Sequence, residues 1–439
     1  MKPFTVSRRG LLTGALGIGA LGALSGCSAR TFFGGQDAGL RFWDLYAGGD
    51  GVNMQQMLDG YRAAHPQVSL EAVTLQWGEP YYTKLAMAGA GGRASDVAAL
   101  HLARLGAYAP AGLLDPFDDE LLAEVGIREE DFPAELWRRS HSGDRLFAIP
   151  FDTHPFVLYY NLDVCREAGL LDANDELRAL EGPEAILDAF TAAQEITGVH
   201  GLAMETLGPD CITPWRLWYT LYRQLEGELL TPDNQASAID DDKALEALDF
   251  MQQMTHSGGA AREMDINGSV AIFGNGQAGF HMNGEWELAT FQETGVPFGM
   301  ARIPKIFDTD VAQADSHVFV LPHQLDRSDR EQQRNAYEFI AYLLRDSLQW
   351  AASGHLPAYQ PVATSDEFLS MRPQSLYSSV AEDVQIDPPV WFGGSASRLW
   401  ISFGSAFSSV LTGRATPREG LDEAKSALQN LLDTPDPTR

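Results

Sequence analysis

The sequence predicts an α/β protein built on parallel sheet with helices on its faces. Three observations carry that expectation. A strand, a helix and a second strand follow one another from Leu40 onward, the pattern of a βαβ start. The 439 residues are enough for roughly two or three domains. A hydrophobic share of 45% and a charged share of 21% are ordinary for a globular chain with a substantial core.

Leu40–Tyr46 reads as the first strand and AGGDG, residues 47–51, as a turn. Val52–Ala64 carries Met54, Met57, Leu58 and Tyr61 at helical spacing and stops before Pro66. Val68–Leu75 is the second strand, Tyr81–Ala90 the next helix, Asp96–Leu100 a third strand and Leu102–Ala109 a short helix. GAGG at residues 89–92 follows a helix and lacks the Lys-Ser/Thr ending of a phosphate loop, so it reads as a turn. Residues 115–144 are acidic and read as loop-rich.

FAIPFDTHPFVLYYN, Phe147–Asn161, reads as the passage between two halves of the protein. Pro150 and Pro155 bias the residues before them toward extended backbone, which sets Asp152, Thr153 and His154 on a stiff, non-helical crossing ahead of a buried strand, Phe156–Tyr160. An acid and an imidazole held there can face a cleft; a plain loop between core strands fits the same residues equally well. Beyond it, Pro183–Thr197, Pro214–Leu225 and Asp240–Met254 read as helices, the last with three aspartates at its positive end. Val270–Phe273 and Gly279–Met282 read as short strands around GNGQ. Ser328 and Glu331 form a capping-box signal for a helix to Arg345, and Thr416 and Glu419 repeat it for the last helix.

Residues 1–26 read as a targeting segment. Lys2, Arg8 and Arg9 precede an apolar, Gly-rich run over Leu11–Leu24 that is too short for a permanent span. SRRGLL resembles a twin-arginine export signal, with Sec export left open, and Leu24-Ser25-Gly26-Cys27 resembles a lipobox. The lipobox implies diacylation of Cys27, an anchored linker over residues 27–37, and an extracytoplasmic protein held on the cell membrane. Losing residues 1–26 removes three basic residues and no acidic one, so the net charge goes from −29 to −32. Such a surface repels nucleic acid. Cys165 and Cys211 remain, and a disulfide or two thiols are both open. No Cys/His spacing points to zinc, and neither a metal nor a cofactor is expected.

Four stretches in fixed order carry a resemblance. They are FWDLYAGGDGVNMQQMLDGYRAAHP (Phe42–Pro66), SDVAALHLARLGAYAPAGLLDP (Ser95–Pro116), IPFDTHPFVLYYN (Ile149–Asn161) and FGNGQAGFHMNGEW (Phe273–Trp286), with GHLPAYQPV (Gly354–Val362) and Leu399–Ala424 in agreement. Behind a lipobox, this order resembles the solute-binding proteins of carbohydrate ABC importers, the family of the maltose-binding lipoproteins. Ser95, where the family usually has proline, and Gly279, where it has alanine, depart from the pattern. The resemblance implies a two-lobed periplasmic-binding-protein-like fold with a ligand cleft between lobes joined by hinge crossings. It places lobe one at residues 38–152 and 317–354, and lobe two at 153–316 and 355–439.

Sugar binding asks for aromatic faces against the C–H face of a pyranose and for directed polar groups around its hydroxyl rim. By resemblance, Asp50 sits in a turn that touches ligand, His101 and Arg104 follow the third strand where polar contacts are made, and His154 stands where the maltose binder has a glutamate. Trp286, after Asn283 and Glu285, and Trp400 match stacking tryptophans; Asp152, Trp77, Trp215, His355 and Trp391 join the ligand-binding set. Each has a structural alternative. Asp50 can cap a helix, His101 and Arg104 can be ordinary loop groups, His355 can brace a hinge, and Trp77, Trp215 and Trp391 suit a core. The expectation is a monomeric binding protein, not an enzyme, that hands a carbohydrate to ABC permease subunits. An anchored glycoside hydrolase using Asp152 and Glu285, a binder of a glycerol phosphodiester or polyol using Arg104 and Arg216, and a sugar sensor are the rivals. Replacing Cys27 with serine should release the protein from the membrane fraction; a C27S protein that still sediments with membranes would contradict lipidation.

Overall fold

The computed structural model describes residues 39–209, 211–256 and 259–438; the expected signal segment and linker, with Cys27, lie outside the described residues. In chain order the strands are β1 (Leu40–Asp44), β2 (Leu70–Thr74), β3 (Val97–His101), β4 (Leu114–Asp115), β5 (His141–Ser142), β6 (Arg145–Leu146), β7 (Ala148–Pro150), β8 (Asp152–Asn161), β9 (His200–Met204), β10 (Ala278–Gly284), β11 (Phe298–Arg302), β12 (Ala314–Asp315), β13 (His317–Pro322) and β14 (Leu356–Pro357). The first sheet runs β2-β1-β3-β13-β4, with β7 also on β13. β1 is parallel to β2 and β3, and β13 returns antiparallel to β3. β3 is buried at every position, as a central strand covered on both faces must be. Helix Gly48–Ala64 packs Met54, Met57, Leu58 and Tyr61 into the core of this sheet, and helix Arg330–Arg345 contributes Phe339, Ile340, Leu343 and Leu344.

The second sheet runs β11-β8-β10-β9, and β12 and β14 also pair with β8. β8 is buried along its whole length, and its period-two alternation serves two cores. Phe156, Leu158 and Tyr160 enter a cluster with Trp215, Trp218, Trp400 and Phe403. Val157 and Tyr159 enter another with Phe273, Phe291 and Tyr377.

The chain passes between the sheets at Phe151, where β7 gives way to β8, and at Ser316, where β12 gives way to β13. A third passage leads from Trp350 in the first core to β14, which pairs with Asp152 and Thr153 of β8. Backbone bonds lace the three together: Phe151 N–H donates to the His317 carbonyl at 2.8 Å and Ala358 N–H to the Phe151 carbonyl at 3.1 Å. Gly354 has φ +114°, and a Cβ there would run into the Glu285 carbonyl, so the third passage requires glycine.

Several elements differ from the sequence reading. The first helix begins at Gly48 rather than Val52, so Asp50 lies in its first turn and does not cap it. The loop-rich reading of residues 115–144 gives way to helices Asp119–Val125 and Ala134–Arg139 and the β5–β6 hairpin. Asp118 starts the first of these by accepting from Glu120 N–H at 2.9 Å and Leu121 N–H at 3.2 Å, and buried Leu121, Leu122, Leu136 and Trp137 hold them down. The apolar run Val270–Phe273 belongs to a helix, Ile266–Gly274, capped by Asp265 through Gly268 N–H at 2.7 Å. Asp329, not Ser328, caps helix Arg330–Arg345. Thr416 and Glu419 do form the reciprocal capping box of helix Pro417–Asp433. Among the described residues Cys165 and Cys211, both buried, form no disulfide.

Candidate functional site

The two sheets and their helices enclose a cavity of about 240 Å³. From the first sheet its wall takes Leu45, Tyr46 and Ala47 just past β1, Asp50, Trp77, His101 at the end of β3, and His317 at the start of β13. From the second it takes His154 of β8, Ile212 and Arg216 of helix Ile212–Gln224, Ile266, Trp286, Ser395, and Trp400 of helix Arg398–Leu411. The cavity thus lies off the carboxyl ends of parallel strands β1 and β3, the place where open α/β sheets bind ligands.

Beneath the wall lies Asp152, fully buried at the head of β8. Its Oδ1 accepts from the His317 backbone N–H at 2.8 Å and stands 3.1 Å from His154 Nδ1. Its Oδ2 accepts from Trp350 Nε1 at 2.7 Å and lies 2.8 Å from His317 Nδ1 and 3.2 Å from His355 Nδ1. His355 continues the chain of charge, with Nδ1 2.8 Å from Glu285 Oε1 and Nε2 3.0 Å from Asp50 Oδ1. Burial works against a charged His355, but Asp50, Glu285 and Asp152 outweigh it and lift its pKa well above 6.5. Burial would raise the Asp152 carboxyl, yet His317 and His355 hold it well below the usual range. Burial, then neighbouring His317, push His101 and His154 down, so their imidazoles are neutral.

Asp152, His154, His317 and His355 each offer one ligating atom within 4.8 Å of the others, a grouping invisible in the sequence spacing. Both Asp152 oxygens already accept from nitrogens whose protons are fixed, Trp350 Nε1 and the His317 amide. The donor set therefore fits a hydrogen-bonded network better than a metal.

Seven of the residues singled out from sequence come together on the cavity wall: Asp50, Trp77, His101, His154, Arg216, Trp286 and Trp400. Asp152, Glu285 and His355 form the layer behind it. Asn283 is turned to its own strand end, accepting from Gly284 N–H at 2.8 Å. Arg104 lies over the Tyr82 ring at 4.6 Å, and Tyr82 in turn bonds His101 Nδ1 at 2.8 Å. Trp215 stacks on Tyr219 in the second core, and Trp391 meets Phe392 edge-on; neither lines the cavity. Sequence reasoning missed Tyr46 and His317 as wall residues. Tyr46 follows the run of β1 and His317 opens the apolar run of β13, the one signal that could have marked them.

The sequence profile of the bacterial extracellular solute-binding proteins matches residues 56–372. The chain belongs to this family. A galactooligosaccharide-binding protein of Bacillus subtilis is 19% identical to this solute-binding protein over 303 residues, 66% of each chain and so just under two thirds of that relative. The GacH receptor of Streptomyces glaucescens, solved unliganded and with acarbose, superposes with a TM-score of 0.74 at 19% identity over 90% of this chain and 98% of its own. The cyclic α-maltosyl-1,6-maltose binding protein of Arthrobacter globiformis gives 0.71 at 22% identity over 90% and 98%. UgpB of Mycobacterium tuberculosis, solved with glycerophosphocholine, gives 0.73 at 18% over the same shares, 90% and 98%. These likenesses establish the two-lobed α/β fold, with the cleft between the lobes.

Replacing His355 with glutamine leaves Asp50, Glu285 and Asp152 without their shared cation, and should cost roughly 3–5 kcal/mol, as breaking a buried pair does. His355 takes its proton more readily folded than unfolded, so its contribution is complete below about pH 6.5 and is lost as pH rises through the lifted value. Urea unfolding should therefore show a wild-type advantage over H355Q that is full in mild acid and shrinks in alkali; an advantage that grows with pH would contradict the assignment.

Proposed function

We propose that this solute-binding protein captures a carbohydrate, a short oligosaccharide, and delivers it to the permease of an ABC transporter. The observation that carries the reading is the cavity wall, where Trp77, Trp286 and Trp400 stand beside Asp50, His101, His154 and Arg216. Flat aromatic faces suit the C–H side of a pyranose, and the polar groups suit its hydroxyls. A cavity of about 240 Å³ is near the lower end of small-molecule sites, roughly 300–1,000 Å³, which favours a short glycan. The relatives named for galactooligosaccharide, acarbose and cyclic maltosyl-maltose binding support the class.

Capture works by closure. Residues 38–152 with 317–354 form one lobe and 153–316 with 355–439 the other, a division supported by the separate cores of the two sheets, apart from Ala358, Ile386 and Ala396, which pack into the first. A ligand touching both lobes stabilises the closed arrangement because it binds that state better. A diacylated Cys27 tethers the monomer outside the cytoplasm near its permease.

Hydrolysis is the weaker reading. A glycosidase needs two carboxyl groups flanking the substrate, about 5 to 9 Å apart. Asp152 and Glu285, the pair the sequence offered for that role, lie behind the wall and share His355, at 3.2 and 2.8 Å. Capture of a glycerol phosphodiester has one observation in its favour, the buried cation Arg216 on the cavity wall.

Thermal unfolding of residues 29–439 with oligosaccharides, monosaccharides, polyols and glycerol phosphodiesters tests the proposal. A true ligand at 100 times its Kd should add about 2.7 kcal/mol of apparent stability, and chromatography should recover it intact. A shift confined to one glycan series supports the reading. Cleavage of the glycan, or a shift with a phosphodiester alone, would overturn it.

A further inference from the structure

Arg216 is 2% exposed and yet lies on the cavity wall. Its guanidinium sits 4.8 Å from the Trp286 ring and 5.4 Å from the Trp400 ring, which fix it in place. Nε and Nη1 have no hydrogen-bond partner among the described residues. The carboxylates that act on it through space, Glu285, Asp315 and Asp387, form no ion pair with it among the described residues, although Glu285 Oε2 and Asp315 Oδ2 also have no hydrogen-bond partner. Glu285 faces His355 at 2.8 Å, Asp387 accepts from Trp400 Nε1, and Asp315 Oδ1 accepts from the amides of Ala103 and Ser316 at 3.1 and 2.8 Å. Burial and the nearby Asp387 also lift Asp315 to about 7, which weakens it as a counter-charge.

A guanidinium cannot give up its proton, and burying it without an acceptor is costly. Asp50, the acid on the same wall, is tied to His355 at 3.0 Å and does not serve Arg216. What Arg216 lacks is an oxygen within hydrogen-bond reach, and a ligand carboxylate would supply one. Resting on the carbohydrate reading above, we infer that the solute is an acidic sugar, a glycan bearing a carboxylate. The carboxylate meets the guanidinium on its open Nη2 side, and the pyranose packs against Trp286. Arginine receives carboxylates at planar, charge-assisted geometry, which fixes the orientation of the ring as well as its charge. The chain's net charge of −29 opposes an anion at long range, but salt screens that repulsion beyond about 8–10 Å, while contact with Arg216 is unscreened inside the cavity.

Calorimetric titration with galacturonate- and glucuronate-terminated disaccharides, each beside its uncharged methyl ester, tests the inference on the unaltered protein. The acid should bind about ten- to a hundredfold tighter than its ester. R216Q should abolish that preference and R216K should keep part of it, with melting curves run on both. The ester comparison stands even where a variant does not fold. An ester or neutral parent that binds as tightly as the acid would overturn the inference and leave the carbohydrate reading intact. Binding of glycerol phosphodiesters with no sugar of either kind would overturn both.

Discussion

One buried carboxylate, Asp152, holds the three passages between the sheets in register. It begins β8 at the first passage, accepts from the amide and faces the ring of His317 at the second, and meets Trp350 and His355 at the third. A carboxylate in low dielectric is tolerable only with such a set of donors, and these come from the second and third passages as well as from His154 of β8 itself. The node therefore ties the three passages into a single arrangement. That is what a hinge in a two-lobed binding protein requires: a few element-terminal residues that stay put while the lobes turn. The cavity wall stands directly on this node, since His154 and His317 belong to both.

Much of this was legible in the chain, for identifiable reasons. The βαβ opening could be read because Met54, Met57, Leu58 and Tyr61 recur at helical spacing between two strand-like runs. The crossing at Phe147–Asn161 could be read because two prolines restrict it. Errors fell where local signals compete. Val270–Phe273 is short and apolar, so periodicity cannot separate helix from strand there, and the Asp265 cap decides for helix. The helices between Asp118 and Ser140 were hidden by a high density of acids, because only Leu121, Leu122, Leu136 and Trp137 reveal their buried sides.

The site was half legible. Asp50, His101, His154, Trp286 and Trp400 were found because they lie in stretches whose order resembles a known family. His317 and Tyr46 were not, because nothing in one sequence says that β13 lies beside β3 or that the end of β1 faces the same space. Trp215 and Trp391 show the reverse case, as tryptophan alone does not distinguish a core from a platform. Trp400 is both at once: 1% exposed in the second core, with one side on the cavity. Trp286 is half-buried on a short turn, and so separates binding from folding more cleanly.

Under the proposed reading, solute is captured at the cavity between the sheets, with Trp286 as its aromatic face. Calorimetric titration of W286A with the saccharide that stabilises the wild type tests that placement most directly. The expected result is a loss of affinity of about tenfold or more, with a melting temperature close to wild type. Wild-type affinity in a folded W286A protein would contradict the placement.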